Sequence, residues 1–546
     1  MKNKLLSAFI ASFLAFGFFS QGPAIEWQKC LGGTLSAGDS TAGMLTFSGV
    51  DMIQKIRKTN DGGYILVGST RSNNNDVTGN HGFLDLWVVK LTNVGVIQWQ
   101  KCYGGNYNDC GTDIQQTSDG GYIVCGWTNS NDGDIVGFHG QPSYNYNIDK
   151  TDFFILRISN SGAIQWKKCL GSNQEEKANS INMTSDGGFV VAGYTRGAAF
   201  NADNNNGDVN GADGGSDAWA VKLTSSGNID WTKCFGNGED TFNSVEILND
   251  GSFYFSGTTS YSAQTTGGSH GGYDFWVVKT DGFGNTQWQK LYGGSAGDYG
   301  NTLKITPDQG FVFTGETYSY NGDVLGSNNI DNNDSDVWVF RADNLGNILW
   351  QNSLGGTMRE GGNDVVVTAD GGYAVTGYTN SFNGDVSYNY GSKDFWIVKL
   401  NSTGNKIWEK CYGGVSDDIS NSIVETADGG FVLAGSIESN DFNSTISGSY
   451  GNGDGWVVKL GYYNEIQENN QTNFSVYPNP TNNHISVHID KIQTNMNYKI
   501  IDQFGRIILE SRFDAIENEV DLSEFHSGIY FLKVEGSNEI KKIIKN

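Results

Sequence analysis

A unit of about 60 residues recurs seven times along this chain, and the recurrence limits what the chain can fold into more than any other feature. The unit reads Asp-Gly-Gly-aromatic, an apolar run ending in Gly, a polar loop, Asp-x-Trp-Val-Val-Lys-Leu, a Gly turn, and Trp-x-Lys-Cys-x-Gly-Gly. A unit made only of short strands must bury its apolar faces against its neighbours, by radial or solenoidal stacking. Turn signals begin at Asp61, Asp119, Asp186, Asp250, Asp308, Asp370 and Asp428, and each precedes a run that suits a buried strand. Two further strands per unit centre on Trp87 and Trp99 and on their equivalents down to Trp456 and Trp408.

The strand around Trp27, Ile25 to Gly33, stands before the first turn, whereas the last unit stops at Leu460 without such a strand. An open ring would leave two unpaired edges, which a displaced terminal strand removes. The expected fold is all-β: a seven-bladed β-propeller over residues 21–461, with Ile25 to Gly33 pairing against the blade built from Asn421 to Leu460. An open β-solenoid is the competing architecture, and it predicts end repeats that diverge into caps.

Thirteen of the fourteen Trp occupy the two repeat-locked positions, where a large flat side chain fills space between blades. Trp127 is the exception, following the strand-ending Gly126, and is the candidate for sugar stacking or partner binding; packing in an irregular blade is the alternative. Cys30, Cys102, Cys169, Cys234 and Cys411 share one repeat position, too far apart around a ring to bridge, and read as small buried residues. Cys110 and Cys125 flank one hairpin and form the only pair to test for a disulfide.

Met1 to Ser20 has a basic start at Lys2 and Lys4 and an apolar run from Leu5 to Phe19, as a signal peptide does. No membrane-spanning segment is expected after its removal, which takes the formal charge from −25 to −27. Such an acidic body repels nucleic acid and anionic membranes, and suits divalent cations or basic partners.

The variable loops before Asp-x-Trp carry Gly-Asp-Val or its like, and three contain His81, His139 and His270. All should emerge on one face, where loops on a rigid scaffold bind ligands. Asp203, Asn205 and Asp208, and Asp331, Asn333 and Asp336, are weak calcium candidates: the oxygens suit the ion, but the first set has its Gly one position early for an EF-hand loop and the second has none. Ordinary turns explain the same residues, and the histidines read as solvated loop residues rather than zinc ligands. No nucleophile elbow, zinc-binding helix motif or Walker loop occurs, so neither catalytic nor cofactor-binding residues are assigned. The acid pairs Asp417 and Asp418, and Glu175 and Glu176, carry little weight in a chain with 60 acidic residues.

From Asp394 to Trp408 the repeat resembles quinoprotein-type propeller repeats, which share the strand, the Gly turn and the Trp-bearing strand. The resemblance implies a propeller and no quinone, because this chain has no adjacent cysteine pair. After a polar linker at 462–473, residues 474–546 alternate short apolar strands with turns, as in a small Ig-like β-sandwich. Phe474-Ser-Val-Tyr-Pro478-Asn479-Pro480-Thr, Gly505 in Asp-Gln-Phe-Gly-Arg, Gly528 and Tyr530 in Ser-Gly-Ile-Tyr, and a basic end reaching Lys545 resemble the type A sorting domain of type IX secretion cargo. That resemblance implies passage across the outer membrane of a Gram-negative bacterium by the type IX machinery. It also implies cleavage within the linker, then release or attachment to surface lipopolysaccharide. The expected function is a secreted or surface propeller that binds a glycan, a protein or calcium for adhesion or nutrient capture. An extracellular hydrolase or lyase with its site at the central channel is the alternative.

Overall fold

The structure, a computed structural model, describes residues 22–34, 51–140, 150–196, 207–212, 215–260, 270–327, 334–439, 444–451, 453–463, 474–489, 496–503, 506–513, 515–534 and 540–546. These residues form two compact units, divided at Tyr462. No helix among them is long and apolar enough to cross a membrane.

In the first unit the described residues form seven antiparallel four-stranded, blade-like sheets. Sheet 1 comprises Asp51–Lys58, Tyr64–Thr70, Asp85–Leu91 and Ile97–Tyr103, in that order across the sheet. Sheets 2 to 6 repeat this order, with first strands opening at Asp109, Glu176, Asp240, Asp298 and Glu360. Sheet 7 takes three strands from Asp418–Glu425, Phe431–Ile437 and Asp454–Leu460, and its fourth from the N-terminal Ile25–Leu31. Gln28 pairs with Val458 and Cys30 with Trp456, as the displaced strand requires. Each sheet packs on the next and sheet 1 packs on sheet 7, so the packing order is cyclic.

The burial of each strand follows from its place in this order. Second and third strands lie between neighbouring sheets and are buried along almost their whole length, as in Asp85–Leu91 and Phe431–Ile437. That double-sided burial is why they read as continuous apolar runs rather than alternating ones. The third-strand indoles Trp87, Trp219, Trp276, Trp338, Trp396 and Trp456 are fully buried. Fourth-strand indoles reach across to the next sheet: Trp99 meets Tyr122 at 6.0 Å, and Trp27 of sheet 7 meets Tyr64 of sheet 1 at 6.1 Å. Trp27 also lies flat on Gly95, whose φ of 77° and missing side chain the turn needs; a methyl group there would sit 2.7 Å from the indole.

The Asp-Gly-Gly turns and Trp-Val-Val-Lys strands meet as ion pairs. Asp61 accepts from the Gly63 amide at 3.0 Å and pairs with the buried Lys90 at 2.9 Å, and Asp186 with Lys222, Asp370 with Lys399 and Asp428 with Lys459 repeat the contact. These two motif residues are therefore turn hardware.

Cys110 and Cys125 are not bridged, a correction to the expected pair. Across their hairpin Cys110 stands opposite Trp127 and Cys125 opposite Asp113, so the two thiols are out of register. The five repeat-locked cysteines form no disulfide, and all but the half-buried Cys234 are buried.

The second unit holds two antiparallel sheets over one apolar core. Phe474–Tyr477, His484–Ile489 and Glu517–Asp521 form one; Ile507–Phe513, Met496–Asp502, Gly528–Val534 and Ile540–Lys545 form the other. Ile485, Val487, Ile500, Leu522, Leu532 and Val534 fill the space between them.

Candidate functional site

The seven first strands line a cavity of about 240 Å³ that receives residues from every sheet. Each first strand carries a bulge at its fourth residue, which re-aims that side chain toward the cavity. The bulge residue is Gln54, Thr112, Asn179, Asn243, Asn301, Asn363 or Asn421. The amide nitrogen of Asn179 donates to Phe242 O, that of Asn243 to Gly300 O, Asn301 to Gly362 O, Asn363 to Ser420 O and Asn421 to Ile53 O, all at 2.8–2.9 Å. Thr112 Oγ1 makes the equivalent bond to Ala178 O at 2.7 Å. The last of the asparagine bonds joins sheet 7 to sheet 1. A repeat-locked Asn in five units was the signal available in the sequence, hidden because Asn reads first as a turn residue.

Below this tier Lys55 pairs with Asp364 at 3.0 Å and Arg57 with Asp113 at 2.9 Å, and Lys304 pairs with Glu246. Lys55 is held below the usual range for an ammonium by burial, which outweighs the attraction of Asp364.

Toward the end where the first strands begin, aromatic and charged side chains surround the mouth. Glu175 binds Tyr194 Oη at 2.9 Å, Lys177 at 2.8 Å and Arg196 at 2.8 Å. Glu316 accepts from Tyr318 Oη at 2.8 Å, and the Arg359 guanidinium lies 5.5 Å from the Tyr318 ring centre. Burial, then the carboxylate beside each, raises the Tyr194 and Tyr318 phenols above the usual range. Trp127 belongs to this rim but is only 7% exposed, with the Lys177 ammonium 5.2 Å from its ring. It lines a cavity of about 260 Å³ with Met52, Gln54, Ser69 and Thr112.

A larger pocket of about 480 Å³ opens between sheets 3, 4 and 5. Tyr194, Tyr273, Tyr299, Arg196 and Glu239 form its walls, and Asn179, Asn243 and Asn301 reach its floor.

The variable loops turn out to clasp adjacent sheets. His139 Nδ1 lies 2.6 Å from Asp152, which opens the third strand of its own sheet, and His139 Nε2 lies 3.9 Å from Asp208 of the next. His270 stands likewise between Asp274 and Asp323, and Tyr450 between Asp454 and Asp76. His139 and His270 are thus held between carboxylates while still partly exposed, and His81 is exposed, as expected of a loop histidine, with Asp85 at 2.6 Å; hydrogen bonding to Asp152 raises the His139 pKa. Asp208 also accepts from the Gly171 amide at 3.4 Å, and Asp336 from Ser327 Oγ at 2.9 Å. Asp203, Asn205, Asp331 and Asn333 lie outside the described residues. Among those described, no three His, Cys, Asp or Glu side chains converge as metal ligands would.

Fourteen buried carboxyl groups open the first and third strands of the seven sheets. They meet in pairs between sheets: a methyl group on Gly32 would lie 2.5 Å from Asp51 Oδ2 and 2.8 Å from Asp454 Oδ1, and one on Gly171 2.6 Å from Glu176 Oε2 and 2.9 Å from Asp152 Oδ1. First-strand members are saturated, as Asp51 is by Ser72 Oγ and the Gly33 amide, both at 2.8 Å. Oδ1 of Asp85, Asp152 and Asp454 has no hydrogen-bond partner. Burial pushes Asp109, Glu176 and Glu360 up to about 7, and Asp85, Asp418 and Asp454 to about 6. The sequence pairs Glu175 with Glu176 and Asp417 with Asp418 therefore split, one member in a notch and the other at the rim.

In the second unit the Pro-Asn-Pro segment holds the C-terminal strand. Asn479 Nδ2 donates to Lys542 O at 2.5 Å, its Oδ1 accepts from the Ile544 amide at 2.9 Å, and Pro478 and Pro480 on either side are cis. Gly528 pairs with Lys545, which also bridges Thr481, and Tyr530 Oη donates to His526 O at 2.9 Å. Gly505 lies outside the described residues. Residues 475–546 match the secretion system C-terminal sorting domain. The sorting domain marks cargo of type IX secretion, and the protein is accordingly secreted or attached at the cell surface.

No curated protein matches the sequence. Among solved structures, the WD40 domain of Neurospora crassa Pan2 is similar over 80% of this chain and 96% of that one, at 12% identity and a TM-score of 0.42. The WD40 β-propeller domain of Doa1 covers 75% of this chain and 94% of its own, at 8% identity and a TM-score of 0.40. A fungal alcohol oxidase of the AA5 family, in complex with copper, covers 96% and 100%, at 13% identity and a TM-score of 0.40.

Proposed function

We propose that the first unit is a seven-bladed β-propeller closed by its N-terminal strand, and that it captures an extracellular ligand, a glycan or a protein, at the mouth of its channel. The second unit is read as an Ig-like sandwich that addresses this binding protein to the type IX machinery. Cleavage within 462–473 then leaves the propeller free or joined to surface lipopolysaccharide. Calcium has no further support beyond the loop residues already named.

The observation that carries the binding reading is the pairing at the rim. Glu175 and Glu316 hold Tyr194 and Tyr318 as neutral phenols with raised pKa, the opposite of what an activated phenol nucleophile or base needs. The carboxyl groups with raised pKa among the strand-opening acids are buried between sheets, and Asp240, which also lines the pocket between sheets 3, 4 and 5, is held by Thr259 Oγ1 and the Gly238 amide.

The test is incubation of the full-length protein with immobilised polysaccharides and extracellular matrix proteins, following both retention and release of soluble fragments. Saturable retention without fragments is expected. Release of fragments that grows with time would overturn the reading in favour of an enzyme.

A further inference from the structure

The pocket between sheets 3, 4 and 5 has a chemistry that selects among ligands, and this step rests on the capture reading above. Its floor carries carboxamides whose N–H groups turn toward the protein. Asn179 donates to Phe242 O at 2.9 Å and Asn243 Oδ1 at 3.1 Å, and Asn301 donates one N–H to Gly362 O at 2.9 Å, so each side-chain oxygen is an acceptor for a ligand. An oxygen that can only accept selects a partner that donates, such as a hydroxyl.

The walls repeat this bias. Glu239, an exposed carboxylate, adds two more acceptor oxygens. Arg196, the one cation among the described residues of the pocket lining, is tied to Glu175 at 2.8 Å, and that carboxylate is shared with Lys177. An anionic ligand would meet Glu239 with little free positive charge to offset it, whereas the hydroxyls of a neutral polyol can donate to these oxygens and also accept from the lining hydroxyls of Ser216, Thr241 and Thr258.

Two aromatic faces complete the pocket. The Tyr273 and Tyr299 rings lie 5.2 Å apart at 33°, and Tyr299 is 38% exposed. Tyr318 stands edge-on to Tyr299 at 6.2 Å and 84°, so the exposed ring is braced from behind. Braced rings present flat apolar area at little entropic cost, and the C–H face of a pyranose is the matching surface on a hydrophilic ligand. At about 480 Å³ the pocket falls in the size range of small-ligand sites.

We infer that this pocket binds a neutral saccharide, stacked on Tyr299 and donating hydroxyls to the side-chain oxygens of Asn179, Asn301 and Glu239. Acidic and sulfated glycans are rejected by the same carboxylate.

The test is a glycan array carrying neutral, uronate and sulfated classes, probed with full-length protein and with Tyr299→Ala, Tyr299→Phe and Glu239→Gln, each first matched to the parent in thermal midpoint. Expected is binding confined to neutral glycans. It should weaken about tenfold in Tyr299→Ala, a stacking loss of the usual size, and be kept in Tyr299→Phe. Glu239→Gln should admit uronates. Neutral binding that Tyr299→Ala leaves unchanged would overturn the pocket while leaving capture intact. Binding confined to acidic or sulfated glycans would overturn the ligand class. No glycan binding at all would overturn the inference, and the protein-matrix arm of the preceding experiment then decides whether capture survives.

Discussion

The contacts between sheets and the rim of the channel are built from the same seven repeats, yet they vary in opposite ways. Within and between sheets nearly every unit supplies the same parts: a buried indole, an Asp with Lys or Arg across the turn of its own sheet, and two carboxyl groups facing one Gly. At the rim the position after the strand-ending Gly is Ser69, Trp127, Tyr194, Thr258, Glu316, Tyr378 or Ser436. Sheet packing allows one solution and reuses it, whereas the proposed ligand, being asymmetric, would need a different side chain from each sheet. Repetition in this protein therefore marks architecture, and on the proposed capture reading its interruption marks recognition.

The sharpest way to break that contrast is to remove a whole interface. Deleting residues 22–34 strips the fourth strand from sheet 7 along with the Trp27 to Tyr64 contact and the Trp456 to Gln28 hydrogen bond. Loss of the single cooperative unfolding transition is expected, and an unchanged calorimetric trace would refute cyclic closure. Next in size, Trp338→Ala should cost about 3–5 kcal/mol in denaturant unfolding, because the indole is fully buried between sheets. Tyr318→Phe at the rim should stay within about 0.5 kcal/mol. Comparable losses at the two positions would erase the distinction between interface and rim.

The smallest effect per site concerns pH. The notch carboxyls have folded pKa values raised to about 6 or 7, above those of an unfolded chain, so the folded state binds more protons than the unfolded state between about pH 4 and 7. Their contribution is fully present below the unfolded pKa and is lost as pH rises through the folded one. His139, also raised, acts in the same direction. The turn aspartates Asp61, Asp119, Asp186 and Asp428, lowered to about 2, oppose this only below about pH 4. The thermal midpoint should therefore climb as pH falls from 8 to 5. A midpoint that is flat or declines over that interval would show that the notches do not titrate.

Much of the fold was legible because its signals are periodic. The Trp27 strand standing ahead of the first turn, with none after Leu460, pointed to its pairing with sheet 7, and the structure places it there. The tail was legible through Pro478-Asn479-Pro480, in which Asn479 clamps the last strand through Lys542 and Ile544. The rim was not legible, since Tyr299 and Asn301 are ordinary strand residues until the bulge between Gly300 and Thr302 turns one of them inward. The clasping role of His139 and His270 was hidden for a similar reason. Their partners Asp208 and Asp323 come from the following repeat, a proximity that linear spacing does not express.

The displaced strand also sets an order of events. Gln28 and Trp456 are hydrogen-bonded partners separated by 428 positions. A chain delivered from its N-terminus must carry Ile25–Leu31 without a partner until Asp454–Leu460 arrives, while the loop to be closed spans the whole propeller unit. Locking is thus deferred to the final repeat, immediately ahead of the sorting domain. A copy that stops before Asp454 therefore lacks both the closing pair and the sorting domain, whereas one cut within 462–473 loses the sorting domain and keeps the pair.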